Sequence, residues 1–168
     1  MGGSDDSEPK PFVTFLLQVS LQNGRDLVIR DSTGTSDPYV KFKYRGAQVY
    51  KSSTVSRNLN PIWGESFEFL MEDPTLPLEI DVFDYNRFAS DEYMGSASVE
   101  LAKYRFFSPN EIKLELGEHG NPGVYMGYLN LSLTILPQTQ EEKDAFLAKM
   151  QRLNSEASKK SAPKGGAK

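Results

Sequence analysis

The chain has 168 residues, no cysteine and a formal net charge of -4. That length suits one domain with tails. The missing thiols exclude a disulfide framework, a zinc–thiolate centre and a cysteine nucleophile, and favour a reducing compartment, while the acidic balance excludes a general nucleic-acid binder, which needs a basic footprint against phosphates.

In chain order, residues 1–11 read as an N-terminal tail or a cloning remnant. MGGSDDSEPKP lacks the basic and apolar regions of a signal peptide. Myristoylation at Gly2 is the alternative for that start, with Asp5, Asp6 and Glu8 opposing an anionic membrane. No apolar run approaches the roughly 20 residues that cross a bilayer, so the chain is expected to be soluble.

From Phe12 to Leu136 the sequence repeats one theme, in the runs FVTFLLQVSLQ, PYVKFKY, QVYKSSTV, ESFEFLM, LEIDVFDY, SASVEL, NEIKLEL and GYLNLSLTIL. Turn residues separate them at sandwich-like intervals. In LEIDVFDY the apolar Leu78, Ile80, Val82 and Tyr85 are interrupted by charges, and Leu129, Leu131, Leu133 and Ile135 share one face. Eight such runs predict an all-β fold of two packed antiparallel sheets over residues 12–136. After Pro137, Thr139 with Glu142 forms a capping-box pattern, and Phe146, Met150 and Leu153 recur at helical spacing. A short amphipathic helix or linker is expected over 137–155 and a disordered basic tail over 156–168.

Carboxylates gather at two strand ends. RDSTGTSDPYV carries Asp31 and Asp37, and VFDYNRFASDEYMG carries Asp84, Asn86, Asp91 and Glu92. Calcium takes six to eight oxygen ligands in irregular geometry, which suits such loops. Asp and Asn are also ordinary turn formers, and spacing alone leaves open whether the clusters share one end of the sandwich.

TSDPYVKFK, NLNPIWGESFEF and VFDYNRFASDEYMG resemble, in order, hallmark segments of the C2 domain family, and the resemblance covers residues 12–136. Through GRDLVIRD, GTSDPYVKFK, NLNPIW, VFDY and MGSA it is most similar to the first C2 domain of the multiple-C2-and-transmembrane proteins. The resemblance implies an eight-stranded antiparallel sandwich whose loops bind calcium and then phospholipid. LLQVSLQNGRDL leads directly into the first acidic loop and GYLNLSLTILP closes the domain, which is similar to the family's type II topology. The family's first-loop aspartates fall on Asp31 and Asp37, and its first third-loop aspartate on Asp84. Asn86 and Glu92 stand where further aspartates are usual, with Asp91 as a substitute, so weaker calcium binding is expected.

Arg87 and Phe88 fall where the family dips into lipid; arginine pairs with phosphate and phenylalanine gains by leaving water. The opposing loop offers Ser32, Thr33, Gly34 and Thr35, so insertion is expected to be shallow. Lys41 and Lys43 point the same way from one strand and, with Lys51, resemble the phosphoinositide-binding face of some C2 domains. A solvated sheet face is the other reading. Trp63 is read as a packing residue and His119 as part of a turn; one histidine without cysteine excludes a His-based triad or zinc centre. The function expected is non-enzymatic: calcium-dependent docking of a larger protein on anionic membranes bearing phosphatidylserine and phosphoinositides, on the cytosolic face. The runner-up is a calcium-insensitive C2 domain used for protein contact or phosphoinositide docking.

Overall fold

The computed structural model describes residues 9–29, 34–121 and 123–161. The chain forms β1 (Thr14–Arg25), β2 (Pro38–Tyr44), β3 (Ala47–Lys51), β4 (Ile62–Met71), β5 (Leu78–Asp84), β6 (Glu92–Val99), a single 3-10 turn at Leu101–Lys103, β7 (Asn110–Glu115), β8 (Tyr128–Gln138) and α1 (Gln140–Ser161). One four-stranded sheet has the order β4-β1-β8-β7 and the other β3-β2-β5-β6. First and last strands lie side by side, and β1 runs straight into the first acidic loop, which is the type II arrangement the sequence led us to expect.

Phe15–Leu136 makes one compact unit. Because a strand's side chains alternate between faces, Leu17, Val19 and Leu21 of β1 and Leu129, Leu131, Leu133 and Ile135 of β8 all turn inward. They meet Val40 and Phe42 of β2 and Leu78, Ile80 and Val82 of β5, and none of these side chains is more than 1% exposed. Each contributes about 1.5–3 kcal/mol relative to an exposed position. Trp63 packs in the same core, with its Nε1–H donating to the Ser53 carbonyl at 3.0 Å; it is a packing residue.

Register decides what the loops can share. β2 pairs antiparallel with β5 from Pro38 opposite Asp84 to Tyr44 opposite Leu78. The segment entering β2 and the segment leaving β5 therefore open at the same tip. β6 begins at Glu92, opposite Asp84, with a bulge between Val82 and Phe83. Glu92 thus stands on a strand and not in the loop. At the tip of the other sheet, Gly127 has φ +93°, and a Cβ there would lie 2.6 Å from the Asp26 carbonyl oxygen. Only glycine lets β8 begin so close to the root of the first loop.

The described residues 9–14 and 137–161 belong to a second unit. Within it Val13 donates its N–H to the Gln138 carbonyl at 2.8 Å. The capping box forms: the Thr139 N–H donates to Glu142 Oε1 at 2.9 Å, and the Glu142 N–H donates to Thr139 Oγ1 at 3.3 Å. The helix continues for 22 residues to Ser161, beyond the expected end at residue 155. SEASKKS lacks large apolar residues, which suggested disorder, but it also lacks any glycine or proline to stop a capped helix. Of the tails expected at 1–11 and 156–168, residues 1–8 and 162–168 lie outside the described residues. No helix among the described residues is long and apolar enough to cross a membrane.

Candidate functional site

The end of the β2–β5 ladder brings together Asp37 and Asp84, 47 positions apart. Tyr85 donates its N–H to the Asp37 carbonyl at 2.9 Å, and the Asp37 N–H donates to Asp84 Oδ1 at 2.8 Å. Asp84 is 2% exposed. The Asp37 carboxylate accepts the Arg57 N–H at 2.7 Å. The two acidic segments thus meet at one tip, which spacing alone left open. Asp31, with Arg30, Ser32 and Thr33, lies outside the described residues. Among the described residues no group of three or more His, Cys, Asp or Glu side chains is gathered for a metal.

The segment 85–91 is shaped by its own polar side chains. Asn86 Oδ1 accepts the Phe88 N–H at 3.1 Å, a tight Asx turn, and Asp91 Oδ1 accepts the Asn86 N–H at 2.8 Å. The Tyr39 hydroxyl donates to Asp91 Oδ2. Burial pushes the Asp91 carboxyl upward, but the Tyr39 hydroxyl, the Asn86 N–H and the ammonium groups of Lys51 and Lys41 outweigh it and hold it below the usual carboxylate range. Burial, and then the bond to Asp91, drives the Tyr39 phenol well above its ordinary range. Both Asp91 oxygens are thereby engaged in fixing the loop. Asp37, Asp84, Glu92 and Asn86 offer carboxylate and amide oxygen only, and that hard donor set fits calcium in kind.

Phe88 is 90% exposed, with the Arg87 guanidinium 5.4 Å from its ring centroid. Tyr85, at the root of the same loop, and Ile29, between β1 and β2, are also exposed. The sequence reading missed both. Ile29 lies just before the polar stretch credited to the first loop, and nothing in strand alternation marks it as exposed.

Lys41, Lys43 and Lys51 share the outward face of the β3-β2-β5-β6 sheet, with Lys41 opposite Lys51. The Lys41 and Lys51 ammonium groups each sit 4.9 Å over a ring, those of Phe83 and Tyr39, and the two rings stack. Across the next strand, however, Asp81 faces Lys41 and Glu79 faces Lys43. The patch is not uniformly basic. His119 stacks on Tyr93 and lies 3.3 Å from Asp81, a surface contact.

The family model described as the C2 domain matches residues 15–116. The Multiple C2 and transmembrane domain-containing protein of Drosophila melanogaster is 40% identical over 156 residues, which is 92% of this chain and 17% of that protein. The chain therefore spans less than a fifth of that relative's length. Among solved structures, the first of the lettered C2 domains (domain A) of plant Extended Synaptotagmin 1 superposes with a TM-score of 0.68 at 28% identity, over 78% of this chain and 100% of that one. The calcium-bound pair of C2 domains, A and B, of Extended-Synaptotagmin 2 gives a TM-score of 0.59 at 27% identity, over 76% of this chain and 47% of that one.

Proposed function

The chain belongs to the C2 domain family, and on that premise we propose that it is a calcium-dependent module docking a larger protein on anionic membranes. The observation that carries this reading is the contact between Asp37 and Asp84 at the end of the β2–β5 ladder, from which the loop bearing the exposed Phe88 leaves. Asp31, Asp37, Asp84, Asn86, Asp91 and Glu92 form the proposed ligand set, with Asp91 bracing the loop through Tyr39 and Asn86. Calcium, when bound, supplies positive charge that attracts lipid phosphate and carboxylate oxygens and reverses the local potential. The protein's own part is to hold like charges together. One amide among the carboxylates lowers the charge and with it the affinity.

At the tip Arg87 pairs with headgroup phosphate while Phe88 leaves water, with Tyr85 and Ile29 as further exposed apolar side chains. The apolar contact is wider than one ring. A calcium-bound relative of similar fold supports the reading. The module binds and does not catalyse, and its place is the cytosolic face of a membrane.

Sedimentation with phosphatidylserine vesicles, with calcium or with chelator, tests it: binding is expected with calcium alone, and equal binding in chelator overturns it. The second reading, calcium-insensitive phosphoinositide docking through Lys41, Lys43 and Lys51, draws on the engaged oxygens of Asp91 and the lysines' common face. Asp81 and Glu79 oppose it by offsetting two of the three charges.

A further inference from the structure

We propose that the outer edge of β4 docks an extended basic peptide, taken up as an added strand of the β4-β1-β8-β7 sheet. This site is separate from the loop tip and independent of calcium.

β4 is the outermost strand of its sheet and ten residues long. An edge strand presents unpaired backbone donors and acceptors, and natural sheets guard such edges with lysine, proline or shortness. β7, at the other edge, is six residues long and carries Lys113. β4 carries no lysine or proline, and its one irregularity lies near its start, at Gly64 with φ +60° and the register shift between Leu21 and Asn23, leaving Ser66 to Leu70 in regular pairing. Between Arg57 and Arg87 the sequence contains no lysine, arginine or histidine, and proline precedes the strand without interrupting it.

The two faces of β4 specify different neighbours. Inward, Phe67 and Phe69 are only half-buried; Tyr50 stacks on Phe67 at 4.3 Å and Phe67 on Phe69 at 6.2 Å, so an aromatic rim stands open at the edge. Outward, Glu68 receives the Gln18 amide at 3.1 Å. Beside it Gln18, Ser20, Ser66, Ser132 and Thr134 border a depression of about 460 Å³. Glu65, by contrast, is occupied by the Tyr50 hydroxyl at 2.6 Å and the Ser53 N–H at 3.2 Å.

A strand added here continues the ladder and sends alternate side chains to each face. Apolar residues then cover the Phe67–Phe69 rim, and basic residues reach across to Glu68. A second copy of β4 fits poorly, because antiparallel self-pairing sets the glutamates of one strand beside those of the other. Charge complementarity thus selects a basic peptide over self-association.

The test uses a fluorescein-labelled octapeptide alternating lysine with valine, read by anisotropy in chelator. Saturable binding is expected, falling about twofold to fivefold with Glu68→Gln, the range for a partly exposed ion pair. A version with glutamate for lysine, or with N-methyl groups on every second amide, is expected to lose most binding. Amides from Ser66 to Leu70 gain protection from hydrogen exchange. The proposal is overturned by absent saturation, by unchanged affinity in Glu68→Gln, by indifference to N-methylation, or by binding lost in Asp84→Asn instead, which moves the peptide to the acidic tip.

Discussion

The loop tip and the outward face of the β3-β2-β5-β6 sheet are built on the same two strands and handle charge in opposite ways. Along the face, register sets Lys41 against Asp81 and Lys43 against Glu79, so charges cancel across strands. At the end of that ladder, register sets Pro38 against Asp84 and brings Asp37 to it, so charges of one sign accumulate. Paired charges on a sheet face contribute little. Asp84 has Pro38 and Glu92 opposite it in the two ladders and no basic residue, and that is why the tip, rather than the lysines, carries the proposed function.

The strongest way to break the contrast is Asp84→Asn. The amide oxygen still accepts the Asp37 N–H, so the fold is kept, while calcium-dependent sedimentation with phosphatidylserine vesicles and the calcium-induced rise in melting temperature are expected to vanish. Phe88→Ala comes next: losing the burial of one ring is expected to weaken vesicle affinity by about tenfold while leaving calcium titration in solution unchanged. Asn86→Asp sharpens the contrast by adding charge to the tip, and isothermal titration is expected to show calcium affinity several-fold higher. Lys41→Ala with Lys43→Ala is expected to change phosphoinositide-vesicle binding by less than about twofold, given the opposing acids; a tenfold loss moves the function to the face.

The smallest effect concerns Asp91. Its carboxyl is depressed in the folded chain, so its contribution is present above the unfolded value of about 4 and lost as pH falls through the lower folded value. Asp91→Asn is therefore expected to lower the melting temperature slightly at pH 7 and to converge with the parent at the acid end of the range.

Much of this was readable without coordinates, for identifiable reasons. The β8 run Leu129, Leu131, Leu133 and Ile135 alternates cleanly because one of its faces is buried and the other is not, and each of the eight runs corresponds to a strand. Asp37 and Asp84 stood out as carboxylates gathered at strand ends, and each also serves the backbone there, Asp37 accepting the Arg57 N–H and Asp84 the Asp37 N–H. What stayed hidden depends on pairing between distant segments. Asp81 opposite Lys41 is set by how β2 meets β5, which alternation within either strand does not reveal. Ile29 and Tyr85 look like ordinary strand-end residues until the loop geometry leaves them exposed. The helix ran past residue 155 because a polar composition signals missing core contacts, and a capped helix also needs a stop.

Gly127 ties these observations to the first loop. Any larger residue has to push the backbone of Arg25 and Asp26 aside, since even a methyl group would lie 2.6 Å from a carbonyl oxygen. Those two residues lead into the stretch that carries Asp31, while the inward leucines of β8 begin only at Leu129. The cost of a side chain at 127 therefore falls first on the backbone of Arg25 and Asp26, and a substitution there is expected to disturb the proposed calcium site through that root before it reaches the core.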